Sequence, residues 1–159
     1  MGTQGAMLVR STLLRAPAQE VWSHATKMEG VNAELAPLAR MTSPSDAAGR
    51  SIHDMPLGRT AFVSWILLFG VLPVERWQLT MIEVGPGRRF LERSRTAMLT
   101  AWEHERTVDA EGAYTRVTDR VRIEPRLRVA GSIVVRTARI LFDNRHRNLA
   151  RMFGLAPIP

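Results

Sequence analysis

The stretch WEHERTV, residues 102–108, decides the fold. It alternates as a strand does, with successive side chains on opposite faces. Nearly every position is polar, however, so neither face is an ordinary core. Its neighbours orient it. Within residues 113–124, Val117, Val121 and Ile123 alternate with Arg116, Thr118, Arg120 and Arg122. The valine face is therefore the inner one, and Asp119 lies on it. Within 88–95, Phe90, Glu92 and Ser94 oppose Arg89, Leu91, Arg93 and Arg95, so arginines again mark the outside. If Glu103 and Glu105 face outward, they lie between arginines of both neighbouring strands, where opposite-charge pairs contribute about 0.2–1 kcal/mol each. Turning the strand over would bury two unpaired carboxylates at a cost of several kcal/mol. Charge thus turns Trp102, His104 and Arg106 inward.

Turn chemistry then suggests a register. Across the hairpin at DAEGA, residues 109–113, faces match only when paired residue numbers sum to an odd value. A sum of 223 leaves a four-residue Ala110–Ala113 loop; 221 leaves an Ala-Glu turn, a poor primed-turn pair. The first register is expected. It sets His104 opposite Asp119, Arg106 opposite Val117 and, outside, Glu103 opposite Arg120. His104, Asp119, Arg106 and Glu92 then share an interior. A His–Asp pair on a sheet face is commonly a structural hydrogen bond, but four ionisable side chains in a small core are expensive unless water or a polar ligand shares the space. A cavity is expected there.

Outward from this centre, AMLVRSTLLRA (6–16) reads as a first strand that stops at Pro17. PAQEVWSHATKM follows as a helix with Val21, Trp22 and Ala25 on one side. A second short helix is expected over Gly30–Leu35, ended by Pro37. From Leu38 onward short extended runs alternate with turn residues, including a strand around Ile52, and form an antiparallel meander. AGSIVVRTARILFDNRHRNLARMFG, 130–154, reads as a long helix. On a helical wheel Arg136, Arg139, Asp143 and Arg147 share one arc, while Ile133, Val134, Thr137, Ala138, Leu141, Leu149 and Met152 fill the opposite one. Asn144, Arg145 and Asn148 intrude among those buried positions.

The 159 residues fit one domain, expected over 1–159. Cysteine is absent, which excludes disulfides and thiolate metal sites. Histidines 24, 53, 104 and 146 lack metal-binding spacing, and no metal or cofactor is expected. The opening MGTQGAMLVRS lacks the basic and apolar regions of a signal peptide, so a cytoplasmic protein is expected. The most apolar run, AFVSWILLFGVLPV at 61–74, is interrupted by Gly70 and Pro73 and is too short to span a bilayer. It is read as buried strand plus turn, with a membrane-touching cavity lip as the alternative. Stable membrane insertion is not expected. Net charge is +7, and Lys27 is the sole lysine. Between 116 and 151 ten arginines face three acids, so the excess sits in the last strand and helix.

The order of strand, two short helices, meander and long C-terminal helix resembles the START-like superfamily, also called SRPBCC or Bet v 1-like. The resemblance extends over roughly 7–153. It is carried by RAPAQEVW at 15–22, WEHERTV, VTDRV at 117–121 and FDNRHRNL at 142–149, which look like the W-x-H, t-D-r-v and F-x-x-R-H-x-x-L pattern of bacterial members labelled polyketide cyclase/dehydrase-like. It implies an α+β helix-grip fold: a curved antiparallel sheet with two short helices, wrapped around the last helix, with an apolar cavity between sheet and helix. These motifs specify fold better than chemistry.

Three functions are open at this level. The first is binding or transport of a small hydrophobic ligand, lipid-, isoprenoid- or polyketide-like. Trp65, Trp77, Phe90 and Trp102 would form its aromatic walls. Glu92, His104, Arg106, Asn144, Arg145 and Asn148 would supply its polar contacts. The alternative is a cyclase-, aromatase- or dehydratase-type enzyme in which His104, held by Asp119, acts as general acid or base and Arg106 stabilises an enolate. The third is an arginine-rich surface for an acidic partner or anionic lipid. Nucleic acid is not expected as a partner, because lysine is nearly missing and no groove-binding motif occurs. A monomer or a homodimer fits equally.

Overall fold

In the computed structural model, which describes residues 5–47 and 49–157, the alternating segments form one antiparallel sheet of seven strands. The strands are β1 (Ala6–Leu14), β2 (Ala39–Met41), β3 (Thr60–Leu68), β4 (Leu72–Val84), β5 (Arg89–Thr96), β6 (Leu99–Glu111) and β7 (Tyr114–Pro125). Their order is β1-β7-β6-β5-β4-β3-β2, so the first strand closes one edge beside the last. Helices α1 (Ala18–Ala25) and α2 (Met28–Leu35) fill the connection from β1 to β2, and α3 (Gly131–Phe153) follows β7. The sheet curls around α3, which packs on β1, β7 and α2. This is the α+β helix-grip architecture.

The charge argument for residues 102–108 describes the sheet well. Glu103 pairs outside with Arg93 at 2.6 Å, and Glu105 with Arg89 at 2.7 Å and Arg120 at 3.1 Å. His104, Arg106 and Asp119 are buried on the opposite face. The inner surface is layered. One apolar cluster, with Leu14, Trp22, Phe90, Val117 and Leu149, lies under α1; another, with Leu8, Leu99, Val121, Ile123 and Phe142, lies under the first half of α3. Between them β6 and β7 carry the charged band.

The register differs from the expected one. His104 pairs with Val121, Arg106 with Asp119, and Glu103 with Arg122. The hairpin closes on Gly112–Ala113, between paired Glu111 and Tyr114. Gly112 has φ +59°, a conformation that hairpin turns require and glycine adopts without strain, so the turn is centred one residue further along than the loop reading placed it and the strands slip by two. Faces are unchanged by a two-residue slip, so the same side chains stay inside.

Three other expectations change. Ile52 begins a 3-10 turn over Ile52–Asp54 instead of a strand, because the Ser51 hydroxyl accepts from His53 N and Asp54 Oδ2 accepts from Ser51 N. The 61–74 run is an exposed-tipped hairpin: Phe62, Ser64, Ile66 and Leu68 share the inward register, while Val63 and Trp65 face out. On α3, Ile133 and Met152 are 67% and 43% exposed despite lying on the apolar arc. Among the described residues no helix is long and apolar enough to cross a membrane.

One glycine sets how the short helices meet. A Cβ on Gly30 would lie 1.9 Å from the His24 carbonyl oxygen, a backbone atom that cannot swing aside. Gly30→Ala is expected to force α1 and α2 apart at a cost of about 2–3 kcal/mol, seen in a thermal melt as a Tm lower by roughly 4–12 °C.

Candidate functional site

Curling the sheet around α3 leaves a cavity of about 390 Å³ between them. Its walls are mostly hydrocarbon: Leu35, Met41, Leu68, Leu79, Met81, Phe90 and Leu99 from α2 and the sheet, and Val134, Ala138, Leu141 and Phe142 from α3. Trp77 and Trp102 meet edge to face at 4.8 Å on the sheet side. The polar part of the wall is small. Glu92 accepts hydrogen bonds from Trp77 Nε1 at 2.9 Å and from the Ser94 hydroxyl, and His104 Nδ1 lies 3.7 Å from its other oxygen. Burial opposes ionisation of Glu92, but His104, Ser94 and Trp77 together hold its carboxyl below the ordinary glutamate value.

Behind His104 the charged band closes into a network. Arg106 is fully buried and bonds two carboxylates at once. Its Nε and Nη2 donate to Asp119 Oδ1 and Oδ2, both at 2.7 Å, and its Nη1 and Nη2 to Glu34 Oε1 and Oε2 at 2.8 and 2.9 Å. Arg145 Nε from α3 also donates to Glu34 Oε2 at 2.8 Å. His104 Nε2 lies 2.7 Å from Asp119 Oδ1 and His146 Nε2 2.8 Å from Oδ2. An ionised carboxylate only accepts, which puts the proton on Nε2 of both histidines. His146 Nδ1 is 2.7 Å from Thr12 Oγ1 on β1. The third histidine of the region, His24, places Nε2 3.3 Å from Glu34 Oε1. Desolvation raises the carboxyls of Glu34 and Asp119, yet the guanidiniums beside them outweigh it and hold both well below their usual range; the same carboxylates keep Arg106 charged.

The residues predicted from sequence therefore divide. Trp77, Phe90, Glu92, Trp102, His104 and Arg145 line the cavity. Trp65 does not: it is 46% exposed on the outer face of β3, because buried Ser64 holds the inward position beside it. Arg106 and Asp119 lie behind the wall, and Arg106 directs four hydrogen bonds to Glu34 and Asp119. Asn144 and Asn148 cap α2 instead of facing the cavity. Asn144 Nδ2 donates to the carbonyls of Glu34, Leu35 and Ala36 at 3.0–3.2 Å, and Asn148 Nδ2 to those of Glu34 and Ala36 at 2.9 and 2.6 Å. Those carbonyls have no partner within the helix, and the two amides supply one. Sequence reasoning missed Glu34, His146 and Thr12. The signal for Glu34 was present: it stands three residues after Val31 and beside Leu35, an acid on the apolar arc of a short helix.

The fold is a helix grip like that of START-like, SRPBCC proteins. The chain belongs to the family described as domain of unknown function (DUF8410), whose profile matches residues 12–153. It is similar in structure to protein CV1439 from Chromobacterium violaceum, with a TM-score of 0.70 and 14% identity over 94% of this chain and 99% of that one. It is similar also to the ZhuI aromatase/cyclase from Streptomyces sp. R1128, with a TM-score of 0.61 and 10% identity over 94% and 96% of the two chains. A START superfamily protein from Mycobacterium smegmatis gives 0.60 and 10% over 92% and 98%. No curated protein matches the sequence.

The network makes a pH-dependent prediction. Because Glu34 and Asp119 have native pKa values below their unfolded values of about 4, their contribution to stability is complete above about pH 5 and is lost as pH falls through the native values. Arg106→Met removes the shared cation, leaving Asp119 with histidine partners alone and Glu34 with Arg145, a loss of about 3–5 kcal/mol at pH 7. Denaturant titrations of both proteins are expected to show that gap shrinking as pH is lowered toward 4, where these carboxyls take up protons in the variant. A gap independent of pH would mean that the carboxylates are not what Arg106 holds.

Proposed function

We propose that the protein binds a small, mostly apolar molecule carrying one polar group, held in the cavity between the sheet and α3. The observation that carries this reading is the composition of the wall: hydrocarbon nearly throughout, with Glu92 and His104 meeting at one place. A volume of about 390 Å³ lies toward the lower end of the roughly 300–1,000 Å³ of small-molecule pockets. Trp102 supports it further. Its indole N–H is buried and has no hydrogen-bond partner among the described residues, and an orphaned buried donor costs free energy that an oxygen on a ligand would recover. The class of ligand is then an apolar body with a hydroxyl or carbonyl able to accept from Trp102 and to reach Glu92 or His104.

Native mass spectrometry of protein purified from a heterologous host is expected to show retained lipid-like adducts. A polarity-sensitive fluorescent fatty probe is expected to bind with a stoichiometry near one. Ala138→Trp, which puts an indole into the cavity from α3, should abolish both signals while leaving the fold intact by circular dichroism. Failure to retain or bind any apolar compound would remove the proposal.

A second reading is favoured by one specific feature. His104 is fixed through Nε2 by Asp119, while its Nδ1 is on the Glu92 side, where the cavity is. An imidazole oriented by a buried carboxylate and presenting its other nitrogen to a binding site is the arrangement of a general acid or base. The chain's likeness to a protein named as an aromatase/cyclase fits that chemistry. Arg106 is buried behind the cavity wall and bonded to Glu34 and Asp119, so in this reading its part is to position Asp119. His104→Gln is expected to end turnover of a carbonyl substrate, with at most a few-fold change in its binding; equal turnover would leave the binding role alone.

A further inference from the structure

We propose that the mouth of the cavity is a peripheral docking surface for an anionic bilayer. The mouth is placed where four exposed residues line the cavity together: Val74 near the start of β4, Met98 in the turn between β5 and β6, and Ile133 and Thr137 on the first turns of α3; a fifth, Lys27, is exposed between α1 and α2. Three segments are stitched together around it. Glu75, near the start of β4, accepts from Ala97 N at 2.9 Å and Met98 N at 3.0 Å. Arg126 N donates to Met98 O at 2.9 Å, and Arg126 Nε to Ala97 O at 3.0 Å. The β3–β4 hairpin, the β5–β6 turn and the passage from β7 into α3 thus form one continuous rim.

That rim is apolar where folding gives no reason for it to be. Phe69 and Val71 at the hairpin tip are 65% and 78% exposed, and Val129 and Ile133 are 90% and 67% exposed. Single exposed apolar residues are ordinary, but a set gathered on one rim is not. Phe69 is the sharpest case. Its φ of +51° lies in the left-handed region, which Gly or Asn adopts easily and a bulky side chain does not. The side chain gains almost no burial in return, so strain is held for an aromatic that points at solvent.

Charge selects the occupant. From Pro125 to Phe142 the chain carries Arg126, Arg128, Arg136 and Arg139 and no acid, and α3 begins within this segment, adding the positive end of its dipole. Glu75 is buried and occupied by backbone N–H groups. A second copy of the chain seated on this rim by a two-fold axis would bring arginines against arginines. An anionic lipid surface accepts the same arginines favourably while the tip side chains enter the boundary between headgroups and acyl chains. The docked pose sets the opening of the cavity against the lipid, so an apolar cargo would cross without passing through water. The docking does not depend on the cargo, and it is measured without one.

The test is co-sedimentation of the full chain with phosphatidylcholine vesicles, with and without phosphatidylglycerol. Binding is expected only where phosphatidylglycerol is present, weakening as salt is raised. Phe69→Asp combined with Val71→Asp should lower the partition coefficient by at least about tenfold, and Arg128→Glu with Arg136→Glu should do the same. Met152→Asp, an exposed apolar position at the opposite end of α3 from Ile133, should leave it unchanged. Phe69→Gly separates docking from folding: it relieves the strained backbone, so Tm is expected to hold or rise while binding falls. Absence of binding to either vesicle, or equal binding by the rim variants, overturns the proposal. So does a concentration-dependent dimer that the Phe69 and Val71 substitutions abolish, if it comes without vesicle binding.

Discussion

The guanidinium of Arg106 is the point on which the interior depends. It leaves β6 on the inner face, bonds Asp119 on the paired strand β7, and reaches Glu34 at the end of α2, which Arg145 of α3 also holds. One side chain thus ties the middle of the sheet to the end of a helix whose other polar link to the sheet is Asn32, bonded to the Met41 backbone on edge strand β2. The planar fork matches two carboxylates at once, a geometry a lysine cannot reproduce. The arrangement is not an efficient source of stability, since taking such charges out of water costs several kcal/mol per ion and the attraction does little more than repay it. What it supplies is selectivity: a slip of β6 or a rotation of α2 would strand a full charge, so competing packings are penalised far more than the native one is favoured.

That selectivity explains which parts of the fold could be read in advance. The orientation of residues 102–108 follows from charge alone, because outward arginines on both neighbours admit only one placement of Glu103 and Glu105. The register does not. It was argued from a four-residue loop and an Ala-Glu turn, whereas the chain turns on Gly112 with positive φ, a choice only weakly signalled by a single glycine. The His104–Asp119 contact survives the slip because residues two positions apart diagonally across a sheet remain within reach of long side chains. Glu34 was harder. Its place on the apolar arc of MEGVNAEL points to burial, but its partners are two arginines that arrive from distant elements.

The misreading of residues 61–74 has a different origin. Equating a hydrophobic run with burial treats a one-way tendency as a rule. Alternation within the run sends Ile66 and Leu68 to the cavity and Trp65 to the outside, and the tip extends past the sheet with nothing over it. Trp65 was assigned to the site for its chemistry, when its parity against Ser64 already opposed that.

The two halves of α3 give the cavity a direction. From Ile133 to Phe142 the helix presents hydrocarbon to the space beneath it, and from Asn144 to Asn148 it presents amides, a guanidinium and an imidazole to α2, Glu34 and Asp119. Polarity therefore rises along one helix from an open, apolar mouth to a closed floor of hydrogen-bonded side chains. The floor leaves little for a ligand to contact, since its donors and acceptors are occupied by one another. In the middle of the wall the Glu92–His104 edge and Trp102 stand closest to this floor on the cavity side. In the ligand-binding reading this imposes an order on entry: the polar end of the guest travels furthest, past Val134 and Ala138, and the apolar remainder comes to rest toward Met98 and Ile133. A guest of the opposite polarity would have to bury hydrocarbon against Glu92 while leaving its oxygen among aliphatic side chains, losing hydrogen bonds at both ends.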